Sequence, residues 1–311
     1  MNSARPMNPA RPMNPADRLR ALLAGPDLVH LPGVYDAVSA RLAARAGVVG
    51  AHLSGAVASA VALGLPDLGF VHAADIVRVA QSVVPSLDGR PLLADADTGY
   101  GNALQARATA RAYAAAGIAG LHLEDQVAPK RCGHLAGKQV VDVAEAAARV
   151  RAAVEASLEV QHSLVVVART DALGVEGVAS ATERCVAFAE AGADAVFVEG
   201  AGTPDLARVV EGVTRATGGC PPLVVNRSEA AGDEPPLDQH ALRELGVRVV
   251  IHPVSALLAA AHAQASVYAA IAATGDAGGA AARLGWTDLT DLVGLPDLLT
   301  LEQRYAAGDA S

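Results

Sequence analysis

Eight short apolar runs alternate with alanine-rich stretches along the chain, and this alternation constrains the fold more than any other feature. Each run has the length of a strand and is apolar at successive positions, as expected for parallel strands buried on both faces. The runs cover residues 29–33, 50–55, 91–97, 120–126, 164–172, 195–200, 222–229 and 249–253. Helical stretches that end in glycine, the usual C-terminal stop, cover residues 35–47, 103–117, 178–192 and 238–246. Eight strands in one continuous βα alternation predict an α/β fold, a closed (β/α)8 TIM barrel.

The structural alternative is an open, doubly wound sheet. Such a sheet normally carries a glycine-rich fingerprint after its first strand, and the sequence LPGVYDA at 31–37 does not match that fingerprint. The barrel is therefore the preferred fold, and residues 17–275 are predicted to form it as one domain.

The two ends of the chain lie outside this repeat. Residues 1–16 repeat a six-residue unit and lack the apolar core of a signal peptide, which predicts a disordered tail. After the last predicted strand, residues 256–275 predict a long helix, and residues 285–308 predict two short helices split near Pro296. Residues 276–311 are thus predicted to form a helical extension, whose leucine-rich face is suited to a contact between subunits.

Composition and charge narrow the class of protein. The 311 residues are 52% hydrophobic and carry a formal net charge of −9, so a nucleic-acid-binding surface is not expected. The apolar runs are short and broken by glycine, proline or charge, so no membrane-spanning segment is predicted. Three widely spaced cysteines, Cys132, Cys185 and Cys220, make neither a disulfide framework nor a zinc site. The expectation is a reduced, cytoplasmic protein.

Polar residues collect at the predicted carboxyl ends of the strands, which is where active sites lie in barrels of this kind. In chain order they are Ser54, Gly55, Asp95, Asp97, Glu124, Asp125, Arg169, Thr170, Asp171, Glu199, residues 226–229 and His252. Any one of them alone is equally well explained as a helix cap or a solvated loop residue. Because more than five strands contribute to the same rim, a functional site there is the stronger interpretation.

Asp95 and Asp97 predict a metal site. They are two residues apart, so both are expected on the same side of their strand. Two carboxylates that close are unfavourable without a cation, and ligands that are all oxygen suggest Mg²⁺ or Mn²⁺ rather than zinc. Glu124, at the end of the next strand, is expected to complete the site directly or through water.

In this order, the motifs resemble the isocitrate lyase/phosphoenolpyruvate mutase superfamily over residues 18–275. The matching pieces are LSG (53–55), LGLPDLGF (63–70), DADTGYGN (95–102), LEDQVAPKRCGHLAGK (123–138), ARTDA (168–172), EG (199–200) and VNRSE (225–229). KRCGH is the most specific of them and marks the lyase side of the superfamily, which includes methylisocitrate-lyase-like members. GYGNA and the LEQRYA tail are similar to carboxyphosphonoenolpyruvate phosphonomutase, which keeps the cysteine motif.

The resemblance implies a barrel whose last helix is exchanged between subunits, in a homotetramer built as a dimer of dimers. It implies Mg²⁺ near Asp95 and Asp97, with Asp67 and Glu124 around it. Its substrate would be a small carboxylate or phosphonate. The residues assigned to substrate binding are Ser54, Gly55, Ala56, Tyr35, Gly133, Asn226, Arg227 and Ser228.

The chemistry implied by the resemblance passes through an enolate, which a lyase must protonate at carbon. Cys132 is the predicted acid, because neighbouring Lys130, Arg131 and His134 provide a cationic setting of the kind that lowers the pKa of a thiol. The stretch that follows, with Gly133 and Gly137, is predicted to hinge as a lid. Arg169 is expected to clamp a carboxylate or phosphonate through two hydrogen bonds, and Glu199 either holds Arg169 or a lid residue or acts directly. The residues predicted to be catalytic are Cys132, Arg169, His134 and Glu199.

One departure bears on the substrate. Methylisocitrate lyases have an arginine that grips an extra carboxylate where this chain has Leu258, which favours a diacid or a phosphonate over a tricarboxylate. Arg227 is a candidate to replace that cation from a neighbouring strand.

The preferred interpretation is a Mg²⁺-dependent carbon–carbon lyase that cleaves a 2-hydroxy or 2-oxo dicarboxylate or tricarboxylate to an oxo acid such as pyruvate. A phosphonomutase and an oxaloacetate-cleaving enzyme are the alternatives within the superfamily. Outside it, a catalytically silent binding barrel and a Schiff-base aldolase are weaker, the latter because both lysines, Lys130 and Lys138, lie in the predicted lid.

Overall fold

Eight parallel strands form a nearly closed barrel in the computed structural model, which describes residues 13–133, 135–160, 164–229 and 238–306. The strands are β1 Val29–Pro32, β2 Ala51–Leu53, β3 Leu92–Asp95, β4 Gly120–Glu124, β5 Val165–Thr170, β6 Ala195–Val198, β7 Leu223–Asn226 and β8 Val247–His252. Each strand pairs in parallel with the next from β2 to β8, and β8 pairs with β1. The predicted (β/α)8 TIM barrel is confirmed.

Thirteen α-helices accompany the strands in the described residues, and most of them connect one strand to the next on the outside of the barrel. In chain order they are α1 Pro15–Ala24, α2 Ala37–Arg45, α3 Gly55–Ala58, α4 Ala73–Ser86, α5 Ala103–Ala115, α6 Val143–Glu159, α7 Leu173–Glu176, α8 Val178–Glu190, α9 Thr203–Thr217, α10 Gln239–Glu244, α11 Ser255–Thr274, α12 Trp286–Leu292 and α13 Leu295–Ala306. A π-helical turn, Ser59–Leu63, follows α3 directly. The glycine stops predicted from the sequence hold for α2, α5, α8 and α10, because a glycine with positive φ follows each of them.

The barrel closes between β1 and β2 through the loop after β1. Gly33 forms a bridge with His52, and the Gly33 N–H donates to the carbonyl of His252 at 2.8 Å. A Cβ at Gly33 would lie 2.1 Å from the carbonyl oxygen of Pro253, so only glycine fits at this crossing. Strand β2 is thereby held against β1 at its carboxyl end, next to the predicted site.

Apolar side chains fill two layers. One lies between the strands and the outer helices, and it includes the fully buried Cys185, with Cys220 packed at its edge. The other fills the barrel interior. Burial raises the pKa of both thiols, that of Cys220 to about 11, so neither provides a thiolate near neutral pH.

Helix α1 closes the amino-terminal end of the barrel, and the sequence analysis did not predict it. It begins at Pro15, where the Asn14 side chain accepts a hydrogen bond from the N–H of Asp17 at 2.9 Å. Leu19 and Leu23 are buried in the barrel's interior layer. The helix therefore starts inside the predicted tail of residues 1–16, of which residues 1–12 lie outside the described part of the chain.

The last three helices leave apolar surface uncovered on the single chain. Helix α11 has no buried residue, and α12 and α13 expose large side chains such as Trp286 and Leu298. The break between α12 and α13 lies at Gly294, close to the split predicted near Pro296. By length and composition alone, α11 is apolar enough to cross a membrane, with a mean hydropathy of 1.4, although the sequence analysis predicted no such segment.

Candidate active site

A cavity of about 100 Å³ opens at the carboxyl ends of the strands and gathers most of the predicted site residues. The predicted residues that line it are Ser54, Ala56, Asp67, Asp95, Cys132, Gly133, Arg169, Glu199, Asn226 and Ser228. The rest of its wall is formed by His52, His122, Lys130, Ile251, Pro253 and Val254. Six strands, the residue directly after β6 and the loop after β4 therefore converge on one space, as a barrel active site requires.

The two predicted metal-binding aspartates converge beside Gly55. The Gly55 N–H donates to Asp95 Oδ2 at 3.0 Å, and a Cβ at Gly55 would lie 3.0 Å from both Asp95 Oδ2 and Asp97 Oδ1. Strand alternation was expected to bring these two carboxylates together. It does not, because Asp97 lies beyond the end of the strand. Strand β3 ends at Asp95, and Asp97 follows in the left-handed region with φ of 44°. The Asp97 N–H donates to Asp95 Oδ1 at 3.0 Å, which holds this turn together.

The pKa values of the two carboxyls are shifted in opposite directions. Burial raises the pKa of Asp97, and the nearby carboxylates of Asp95 and Asp67 add to the increase. Burial also opposes ionisation of Asp95, but His122, Lys130 and Arg169 together outweigh it and lower the pKa of that carboxyl. A bound cation would favour the ionised form of both carboxyls.

Lys130 belongs to the site rather than to an exposed lid. Its side chain is 5% exposed, and its ammonium lies 2.5 Å from Asp67 Oδ1 and 3.0 Å from Asp97 Oδ1. Two carboxylates therefore contact the Lys130 ammonium, and its predicted effect on the Cys132 thiol stays a prediction. The pKa of Lys130 is raised well above the usual value: burial lowers it, but Asp97 and the other nearby carboxylates have the larger combined effect.

Arg169 is the centre of a buried charge cluster. Its Nε and Nη2 donate to the two oxygens of Asp171 at 2.9 and 3.1 Å. It also pairs with Glu124 Oε2 and Glu199 Oε2, each at 3.3 Å. The Phe197 ring packs on its guanidinium, with 5.2 Å between Cζ and the ring centroid. Contact with Arg169 was one of the alternatives predicted for Glu199, and this contact is present in the structure.

The loop after β4 places Cys132 over the cavity. The Cys132 N–H donates to the carbonyl of Asp67 at 3.2 Å, and the Arg131 N–H donates to Gln126 Oε1 at 3.0 Å. Cys132 is half-buried, while Arg131 is exposed. His134, predicted to be catalytic, lies outside the described residues.

Some predicted residues do not line this cavity. Gly55, Asp97 and Glu124 lie directly behind its wall, through the contacts given above. Tyr35 lies in the loop after β1, where its N–H donates to Ser39 Oγ at 3.0 Å. Neither Arg227, half-buried after β7, nor Leu258, half-exposed on α11, is among the residues that line the cavity.

A pair of histidines was not predicted to line the site. His52 Nε2 lies 2.9 Å from His122 Nε2, and His122 Nδ1 lies 3.5 Å from Asp95 Oδ1. Burial lowers the pKa of His52 to about 3 and that of His122 to about 4, so both are neutral near pH 7. His122 lies on β4, two residues before Glu124. This position was the available signal, because alternate residues of a strand share a face.

The donor set fits a hard divalent cation. Asp97 Oδ1 and Glu124 Oε1 are buried oxygens without a hydrogen-bond donor, although Lys130 pairs with the former through charge. Within the described residues, no three His, Cys, Asp or Glu side chains are close enough to hold a metal by themselves. The protein would therefore supply one or two carboxylates and leave the other positions to water and substrate, which is the usual arrangement for Mg²⁺.

Fold and site together define a TIM barrel whose cavity joins buried carboxylates to a buried arginine and a cysteine. Residues 19–272 match the family model of phosphoenolpyruvate phosphomutase. The chain is 34% identical to 2,3-dimethylmalate lyase of Eubacterium barkeri over 94% of this chain and 98% of that one. It is 40% identical to 2-methylisocitrate lyase of Bacillus subtilis over 79% and 78% of the two chains.

Solved structures agree with these sequence matches. Oxaloacetate acetylhydrolase in complex with 3,3-difluorooxalacetate matches with a TM-score of 0.84 and 34% identity, over 95% of this chain and 97% of that one. Phosphonopyruvate hydrolase in complex with oxalate and Mg²⁺ matches with a TM-score of 0.79 and 28% identity, over 94% and 100%. The chain belongs to the isocitrate lyase/phosphoenolpyruvate mutase superfamily, and the protein is an enzyme.

Proposed function

We propose that the protein is a Mg²⁺-dependent carbon–carbon lyase that cleaves a 2-hydroxy or 2-oxo diacid to an oxo acid, through an enolate. The observation that carries the proposal is the position of Cys132, which lines the same cavity as Arg169 and Asp95. A thiol there has a task in a lyase, because the enolate fragment must gain a proton at carbon. One relative is named for a 2-hydroxy diacid, 2,3-dimethylmalate, and another for a 2-hydroxy tricarboxylate, 2-methylisocitrate.

The side chains around the cavity have separate tasks in this proposal. Arg169 binds a carboxylate or oxyanion of the substrate, since its charge is fixed and buried next to the cavity. Ser54, Asn226 and Ser228 provide hydrogen bonds to further substrate oxygens. Cys132 holds the proton that passes to the enolate carbon.

Asp95 and Asp97 would hold Mg²⁺, with Asp67 and Glu124 orienting its water ligands. When bound, the metal supplies positive charge that stabilises developing negative charge on the substrate oxygens. Lys130 contacts Asp67 and Asp97, so it limits the charge repulsion between them and fixes their positions.

The wall of the cavity favours a small diacid that carries alkyl groups. Ala56, Ile251, Pro253 and Val254 make one part of the wall apolar. Arg227 does not line that wall, and residue 258 is a leucine where methylisocitrate lyases have an arginine. A third substrate carboxylate would therefore be buried there without a cationic partner. A dialkylmalate fits this wall better than methylisocitrate does.

The proposal is tested with Mg²⁺ and a panel of acids: 2,3-dimethylmalate, other alkylmalates, methylisocitrate, isocitrate and oxaloacetate. We expect oxo acid from an alkylmalate, followed through a coupled dehydrogenase, and none after the metal is removed. Asp95→Asn should abolish both turnover and the heat of Mg²⁺ binding. Asp88→Asn is the matched control and should change neither, because its side chain is 90% exposed.

Other results of the panel favour other reactions. Cleavage of oxaloacetate alone would identify the oxaloacetate-cleaving alternative. No turnover with Mg²⁺ still bound would favour phosphonate chemistry, which phosphorus NMR can follow. Absence of Mg²⁺ binding in the unmodified protein would contradict the proposal.

We also propose a homotetramer, built as a dimer of dimers that exchange their last helices. The support is α11, which is apolar and has no buried residue in the single chain. We expect light scattering to give four times the chain mass of 31.3 kDa. Ile271→Glu, on the exposed face of α11, should reduce this to smaller species, and a monomeric unmodified protein would contradict the proposal. Location in the cytoplasm stays a prediction.

A further inference from the structure

Lys138 connects the loop that carries Cys132 to the end of strand β5. Its ammonium donates to the carbonyl of Gly133 at 2.7 Å and to Asp171 Oδ1 at 2.9 Å. The side chain is 11% exposed, although the neighbouring residues Gly137 and Gln139 are exposed. Lys138 does not line the cavity, so nothing in the proposed reaction explains why a lysine is turned inwards here.

Asp171 is shared by Lys138 and Arg169. Both its carboxylate oxygens accept from Arg169, and Oδ1 also accepts from Lys138. The aspartate is fully buried, and its own N–H donates to Asp125 Oδ1 at 2.9 Å. Asp125 in turn accepts from Thr170 and Arg184, so the carboxylate shared by the two cations is firmly anchored.

Gly133 is held from two sides. Lys138 binds its carbonyl, and its Cα packs against the Arg169–Glu199 pair. A Cβ at Gly133 would lie 2.7 Å from both Arg169 Nη2 and Glu199 Oε1. The position of Gly133 therefore depends on Lys138 and Arg169 together, and Cys132 is the residue directly before it.

Lys138 also changes the charge that Arg169 experiences. Arg169 has three carboxylates within 3.3 Å, those of Glu124, Asp171 and Glu199. Because Lys138 neutralises part of the negative charge on Asp171, Arg169 attracts an anionic substrate more strongly. Without Lys138, the cluster around Arg169 would carry one more uncompensated negative charge.

We propose that Lys138 is a positioning residue, which sets Cys132 against Arg169 through Gly133 and Asp171. The inference rests on the proposed function, since it assigns Cys132 and Arg169 to one reaction. Beyond that function, we infer that the Asp171 carboxylate positions both Arg169 and the loop that carries Cys132.

The test compares Lys138→Met with Lys138→Arg and with Gln139→Met, a change at the neighbouring exposed side chain. With the substrate found in the panel, we expect Lys138→Met to lower kcat at least about tenfold, the effect of losing one charge-assisted hydrogen bond. KM should rise less than kcat falls, because the thiol is needed after substrate binds. Lys138→Arg should recover most of kcat, since a guanidinium can reach both oxygens, and Gln139→Met should resemble the unmodified enzyme.

Amide hydrogen exchange gives a second readout that needs no substrate. The Cys132 N–H donates to the carbonyl of Asp67, and the Leu135 N–H donates to the carbonyl of Cys132. We expect both N–H groups to exchange about tenfold faster in Lys138→Met. Unchanged exchange in Lys138→Met relative to Gln139→Met would overturn the inference, whether or not a substrate is known. So would a loss of kcat that Lys138→Arg does not recover, because that pattern indicates a general loss of structure. If the panel yields no turnover, only the proposed function fails, and the exchange rates still decide on Lys138.

Discussion

Cys132→Ala will reduce kcat by about 10²–10⁴-fold, the usual contribution of a positioned general acid. Cys132 lines the cavity with Arg169 and Asp95, and an alanine there cannot deliver a proton to the enolate carbon. The loss should appear in kcat rather than in KM, because Arg169 and the metal site remain to bind the substrate. Steady-state kinetics with the substrate found in the panel measure both constants.

A matched cysteine variant shows whether the effect belongs to the site. Cys220→Ala removes a thiol that packs at the edge of the layer between strands and helices, away from the cavity, and it should leave kcat within about twofold. Mg²⁺ binding by calorimetry should be the same in Cys132→Ala and the unmodified protein. A fall in kcat of less than tenfold for Cys132→Ala would mean that another group protonates the enolate.

Arg169→Met will both destabilise the protein and abolish turnover. Removing one partner from a buried charge cluster costs about 3–5 kcal/mol, because carboxylates stay buried without compensation. Here Asp171, Glu124 and Glu199 would lose the guanidinium between them. Urea unfolding measures the free energy of unfolding, and kcat/KM measures the loss of substrate binding and orientation, which we expect to exceed about 10³-fold.

Arg184→Met separates these two effects. Arg184 is 3% exposed and pairs with Asp125 and Glu176, but it does not line the cavity. We expect a loss of unfolding free energy similar to that of Arg169→Met, with a much smaller loss of kcat/KM. If both variants lost the same activity per kcal/mol of stability, Arg169 would have no role beyond the structural one.

Much of this site could be predicted from the sequence, because a barrel brings all strand ends to one rim. Ser54, Asp95, Arg169, Glu199 and Asn226 lie at that rim as expected. The specific contacts were less predictable. The convergence of Asp95 and Asp97 comes from a left-handed residue after β3 rather than from strand alternation, and no local pattern reveals such a turn.

The two lysines illustrate this limit. The sequence predicted that both lysines lie in a cationic lid. In the structure, Lys130 is buried between two aspartates and Lys138 forms an ion pair with Asp171. Their partners lie 63, 33 and 33 residues away along the chain for Asp67, Asp97 and Asp171, respectively. Only barrel closure brings these groups within hydrogen-bonding distance.

The sequence by itself determined the barrel, the rim that carries the site and the superfamily, because strand periodicity, glycine stops and short motifs are local properties of the chain. Tertiary structure alone decided that α1 closes the barrel's amino-terminal end, that α11 has no buried residue in the single chain and which charges meet. The physical reason is that burial and ion pairing depend on distances between residues far apart in sequence, and those distances exist only once the eight strands have closed.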